Sequence, residues 1–178
     1  KIYTKAYDWL VTSRGEIGEQ YKSLAFKRDR ESRQQLSAVK SQYVQTYLAI
    51  ARVLFEQAET VRDDQQAYYT KLMGAAKAFE EVAQKYRLYT AGVYAVLYEG
   101  ECYQLMGEDK RALTYFKELL QNADNSSAVR RLKCRALAKS IDSWLKIDKQ
   151  AGPDRSITMA KQWLTTTRAG EHRDAAWA

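Results

Sequence analysis

Residues 97–116 read LYEGECYQLMGEDKRALTYF. Gly100 is followed by Tyr103, Gly107 stands between them and an Ala112-x-x-x-Phe116 step, and Glu99, Glu101 and Cys102 flank the first glycine. Such a stretch is either part of a reactive site or punctuation in packed helices. The two glycines lack the spacing and the strand-to-helix setting of a phosphate-binding loop. Residues two apart on a helix point in different directions, so Glu99 and Glu101 do not make a carboxylate pair. Gly107 suits the left-handed residue that closes a helix over about 92–106. Asp109 is then expected to cap a helix over about 110–122.

Helical periodicity extends in both directions from this stretch. Downstream, NADNSS (residues 122–127) supplies a turn with several capping residues, and a helix follows over about 126–148. Gly152 and Pro153 mark the next turn, and a last helix is expected over about 154–168. Upstream, Tyr68, Leu72, Met73, Ala76, Phe79, Val82 and Ala83 share one face of a helix over about 65–87. Asp63 or Asp64 is positioned to accept from the open amides at its start. Between Leu36 and Val61 the apolar residues Leu36, Tyr43 and Ile50 recur every seven, which fits one long packed helix better than a short coiled-coil seam. KRDRESR, residues 27–33, reads as exposed helix or polar loop. In the first segment, Tyr3, Ala6, Tyr7, Leu10 and Val11 have helical spacing. Gly15 and Gly18 are expected to break this helix and start a second one.

Composition agrees with an all-α chain. There is a single proline, Pro153, in 178 residues, and strict apolar–polar alternation bounded by turn residues is missing. No apolar run approaches the ~20 residues that span a bilayer, so no transmembrane segment is expected. The chain opens on Lys1 without a methionine, so a piece of a longer protein is expected and the compartment stays open between cytoplasmic and periplasmic or secreted. The net charge of +7 is uneven: residues 1–62 hold 11 basic and 7 acidic side chains, 63–124 hold 7 and 10, and 125–178 hold 11 and 5. A non-specific nucleic-acid binder would be basic throughout, so nucleic acid is not the expected partner.

Catalytic, cofactor and metal sites are not expected. His172 is the only histidine and sits in a polar tail, which leaves a histidine-based triad or metal site little to build on. Cys102 and Cys134 both fall in helical patterns and read as buried free thiols, with a single disulfide as the alternative. The aromatic residues lie mostly on apolar helical faces and read as core rather than as a base-stacking platform. RRLKCRALAK, residues 130–139, is the strongest basic run. Arg131, Arg135 and Lys139 share a stripe suited to a solvated face or to an acidic peptide or phosphates.

Gly100-x-x-Tyr103 with Ala112-x-x-x-Phe116 carries a resemblance to the tetratricopeptide repeat (TPR) family. Gly100 would let the second helix of a pair approach the first, Tyr103 would fill the gap, Ala112 would keep the return helix close, and Phe116 would pack towards the next pair. Val96, Glu99 and Asp124 depart from the family pattern, where tryptophan, leucine and proline are usual. Weaker echoes are Tyr47-x-x-Ile50-Ala51-x-x-Leu54 with Ala75-x-x-x-Phe79, and Cys134-x-x-Leu137-Ala138-x-x-Ile141 with Ala160-x-x-x-Leu164. The intervals exceed the usual ~34 residues, as longer helices would require.

The resemblance implies antiparallel helix pairs stacked as a short right-handed superhelix. Residues 1–35 would form a degenerate N-terminal cap, 36–168 about three helix pairs, and 169–178 a tail or the start of a continuation. It also implies a non-catalytic scaffold that binds a peptide or helix of a partner protein on its concave face. Carried over, the groove positions are Leu48, Arg52 and Phe55, then Tyr94, Leu97, Glu101 and Gln104, then Arg135 and Lys139; Gln45, Leu132 and Asp142 would flank them. The partner would be a protein or peptide, with an acidic segment suited to the basic end. Two other expectations compete: binding of nucleic acid or an acidic partner through the basic ends, and self-association into a homo-oligomer within a larger assembly.

Overall fold

The computed structural model describes residues 2–27 and 29–166. Among them are seven helices and no strand: α1 (Ile2–Ala25), α2 (Arg30–Glu59), α3 (Gln65–Lys85), α4 (Thr90–Leu105), α5 (Asp109–Leu120), α6 (Ser127–Ile147) and α7 (Gly152–Thr166). The all-α reading is therefore correct. None of these helices is long and apolar enough to cross a membrane. His172 and the expected tail 169–178 lie outside the described residues. The chain forms two compact units, Lys1–Val82 and Ala83–Ala178. Their division falls inside α3, and position 35 falls inside α2.

In the first unit α1 runs unbroken through Gly15 and Gly18, contrary to the expected break. Glycine costs a helix interior only about 1 kcal/mol relative to alanine, and packing outweighs that. α1 lies antiparallel along α2: Arg14 sits over the Tyr47 ring at 4.8 Å, while Tyr21 stacks on Tyr43 at 6.0 Å. Asp29 caps α2 by accepting from the Ser32 N–H at 2.8 Å. That bond, chiefly, holds its carboxyl below the ordinary value. Of the charged stretch 27–33, Lys27 and Asp29 lie between α1 and α2, and residues 30–33 form the first turn of α2. α2 continues as one long helix to Glu59. Asp64 caps α3 through the Ala67 N–H at 3.0 Å. Leu72, Ala75, Ala76 and Phe79 of α3 are buried, with Phe79 edge-on to Phe55 of α2.

In the second unit α4 is buried on almost every side. Gly100 permits this. A Cβ there would stand 2.6 Å from the Phe116 ring of α5, so only glycine lets α5 come this close. Tyr103 stacks on Tyr115 at 5.4 Å, with the Arg111 guanidinium 3.7 Å over the Tyr103 ring. Ala112 and Phe116 are fully buried. Gly107 has φ +80°; its N–H donates to Gln104 O, and the Glu108 N–H to Tyr103 O, which satisfies the last carbonyls of α4.

Asp109 is a correction. It is the first residue of α5 rather than its cap, and its carboxylate accepts from the Ser143 hydroxyl of α6 at 2.8 Å. Ser126 caps α6 by accepting from the Val129 N–H. Asp148 closes α6 and accepts from the Ala151 and Gln150 N–H groups, which lower its carboxyl below the ordinary value.

Candidate functional site: a trough between α5, α6 and α7

The positions carried over from the repeat resemblance are largely occupied within the chain. Leu48 and Leu97 are buried, and Phe55 is half-buried against Phe79. Glu101 is buried and accepts two hydrogen bonds from Arg135, Nε to Oε1 and Nη2 to Oε2, both 2.6 Å. Arg135 also lies 5.1 Å over the Tyr98 ring. Burial alone would lower the Arg135 value; the paired bond and charge of Glu101 outweigh it and hold the guanidinium protonated. Gln104 donates to the Lys139 carbonyl and to Ser143 Oγ, both at 2.8 Å. The structure thus brings the Glu101, Gln104 and Arg135 side chains and the Lys139 carbonyl together as a polar seam between α4 and α6. Arg52 is exposed, and Tyr94 is half-buried.

The basic run at 130–139 is similarly engaged. The Lys133 ammonium is buried and donates to Asn122 O at 2.6 Å and Asn125 Oδ1 at 2.9 Å. Arg130 donates to Asn125 O. These bonds tie the α5–α6 turn to α6 through Arg130 and Lys133, while Arg131 of the expected stripe is exposed.

Glu99 is also buried, and the Tyr115 hydroxyl bonds to it. Burial first, and this bond second, push the Tyr115 phenol above its ordinary value. Cys102 and Cys134 are buried and not joined in a disulfide. Burial, assisted by the neighbouring Glu101 and Glu99 charges, keeps the Cys102 thiol protonated and so poorly nucleophilic. No group of three or more His, Cys, Asp or Glu suited to a metal ion occurs among the described residues.

An open feature of the second unit lies elsewhere. α5 and α7 stand on either side of α6 and leave a trough of about 880 Å³. Its floor is one stripe of α6: Leu137, Ser140, Trp144 and Ile147, spaced three and four residues apart. At 1.5 Å per residue this floor is about 15 Å long. The α5 wall carries Leu113 and Leu120 with Lys110 and Lys117 at the rim; the α7 wall carries Met159 and Trp163 with Arg155. The Arg155 guanidinium lies 4.8 Å over the Trp144 ring. The Trp144 indole N–H is buried and has no acceptor among the described residues. The described residues lining the trough include three cations and no carboxylate.

Sequence reasoning did not single out this trough. A period of three and four marks an apolar face without revealing whether a neighbour covers it. No family model matches the chain, and neither a curated protein nor a solved structure matches it.

Proposed function

We propose that this chain is a non-catalytic protein-binding scaffold of TPR-like helix pairs, with α4–α5 and α6–α7 as successive pairs of a right-handed superhelix. What supports the repeat reading is the register of the seam. Glu101 on α4 meets Arg135 on α6 at a separation of 34 residues, the usual interval of ~34 in such repeats. The observation that carries the binding reading is the trough: an elongated apolar floor with a cationic rim, the form in which a groove receives a helix or peptide. The binding surface on this reading is the α5–α6–α7 side, since the expected concave positions Leu97, Glu101 and Gln104 are used in packing.

Site-directed photo-crosslinking tests it. A photo-reactive residue at position 120, inside the trough, forms an adduct with a defined partner protein in cells that make the full chain, whereas the same residue at exposed Lys77 does not. The purified partner then loses affinity for Leu120→Asp. Adducts equal at both positions, or none at position 120, count against the reading.

A further inference from the structure

We infer that the occupant of the trough is an amphipathic helix of a partner protein, with an apolar stripe flanked by carboxylates. This inference rests on the protein-binding reading above and adds the chemistry of the partner.

Shape argues for a helix. The floor covers about three turns of α6, and each wall is a stripe of residues from one helix, 110–121 of α5 and 155–163 of α7. A compact ligand would occupy only part of a floor about 15 Å long. A helix laid in such a groove presents anchors at every third and fourth residue, the spacing of Leu137, Ser140, Trp144 and Ile147 beneath it.

Charge argues for acidity. Lys110 and Lys117 stand seven residues apart on one wall, about 10 Å or two turns. Carboxylates two turns apart on one flank of a partner helix meet both, and a third on the other flank meets Arg155. Lys110, Lys117 and Arg155 are exposed in this structure, so their heads need not be fully dehydrated to pair. Asp148, in the adjoining turn, accepts from the Gln150 and Ala151 amides and is close enough for its charge to act on Arg155. A basic helix would meet like charge at Lys110 and Lys117 on one wall and at Arg155 on the other, with no carboxylate among the described residues that line the trough. A fatty acid carries one carboxylate and leaves two of the three cations without a counter-charge.

The test measures binding of labelled synthetic helices of three to four turns to the full chain by fluorescence anisotropy. One peptide carries a leucine stripe with Glu two turns apart on its flanks, and a second replaces each Glu by Lys. The acidic helix binds with an affinity that falls as salt rises, and the basic one binds at least about tenfold more weakly. Lys110→Glu with Lys117→Glu reverses that order while the far-ultraviolet circular dichroism is unchanged. Equal binding of both peptides, no binding of the acidic one, or indifference to the double variant overturns the inference. So does displacement of the acidic peptide by palmitate at equal concentration, which marks a lipid site. If position 120 still cross-links to a protein after any of these results, the scaffold reading stands and only the acidic-helix inference falls.

Discussion

Glu101 and Arg135 are joined across α4 and α6 by two parallel 2.6 Å hydrogen bonds, but the two partners are not equally buried: the Glu101 side chain is 5% exposed and the Arg135 side chain 47%. That asymmetry fixes which half of the pair can be removed at lower cost. Arg135→Met leaves a carboxylate stranded away from water and costs about 2–4 kcal/mol, somewhat below the range for a fully buried pair because water reaches one side. Glu101→Gln leaves a guanidinium that can hydrate and costs about 1–2 kcal/mol. Urea unfolding of both single variants and of the double variant checks this. The double variant is less destabilised than the sum of the two; an additive cycle would mean that the pair contributes nothing as a pair.

Gly100 and Phe116 set the α4–α5 approach. Gly100→Ala places a methyl group where the Phe116 ring already stands. The overpacking penalty of about 1–3 kcal/mol exceeds the helix-propensity gain of about 1 kcal/mol, so stability falls. Adding Phe116→Leu to Gly100→Ala makes room and recovers part of the loss relative to Phe116→Leu alone. Thermal unfolding of the three variants reads both effects, and a Gly100→Ala protein as stable as the parent would refute the close-approach argument.

Two glycines respond in opposite directions. Gly15 lies inside α1 with nothing near its missing Cβ, so Gly15→Ala stabilises by about 0.5–1 kcal/mol. Gly107 is equally open, but its φ of +80° disfavours any side chain. Gly107→Ala therefore destabilises by about 1–2 kcal/mol. The comparison by chemical denaturation isolates backbone conformation from packing, because neither new methyl group meets a neighbour.

Stability declines at alkaline pH through Cys102. Burial raises its folded value above the ordinary 9.0. A thiol raised in this way contributes stability that is fully present below its unfolded value and is lost as pH rises towards the folded one. The free energy of unfolding then falls by about 1.4 kcal/mol per pH unit above 9 on account of this group. Tyr115 adds to the decline above its ordinary 10.0. Cys102→Ala lowers stability at neutral pH but flattens the slope between pH 9 and 10. An unchanged slope in that variant would remove Cys102 as the cause.

The helices were legible in the sequence because their signals are local. The 3.6-residue apolar period located α2 to α7, and Gly107, Ser126 and Asp64 punctuated them as caps do. The misread elements were those in which a contact distant in sequence competes with a local preference. Gly15 and Gly18 weaken a helix by themselves, yet α1 persists because Tyr21 and Arg14 pack on Tyr43 and Tyr47 of α2. Asp109 has the side chain of a cap, yet its carboxylate serves Ser143 on α6.

The groove residues show the same division more sharply. Glu101, Gln104 and Arg135 are polar and regularly spaced, which from sequence alone suits a ligand-facing surface. Whether such a side chain meets a ligand or another helix depends on the distance and register between helices. Here α4 and α6 lie close enough for two 2.6 Å bonds, and the seam closes. Conversely, Leu113, Trp144 and Met159 have the pattern of core, but α5 and α7 stand apart over α6 and leave them lining a trough. The sequence by itself determined that the chain is helical, where most helices start and stop, and that Gly100, Ala112 and Phe116 are packing positions, because periodicity, capping and side-chain volume act within a few turns. Which polar stripe is consumed and which apolar stripe stays open was decided only by the tertiary structure, because burial belongs to the spacing between helices and not to any one of them.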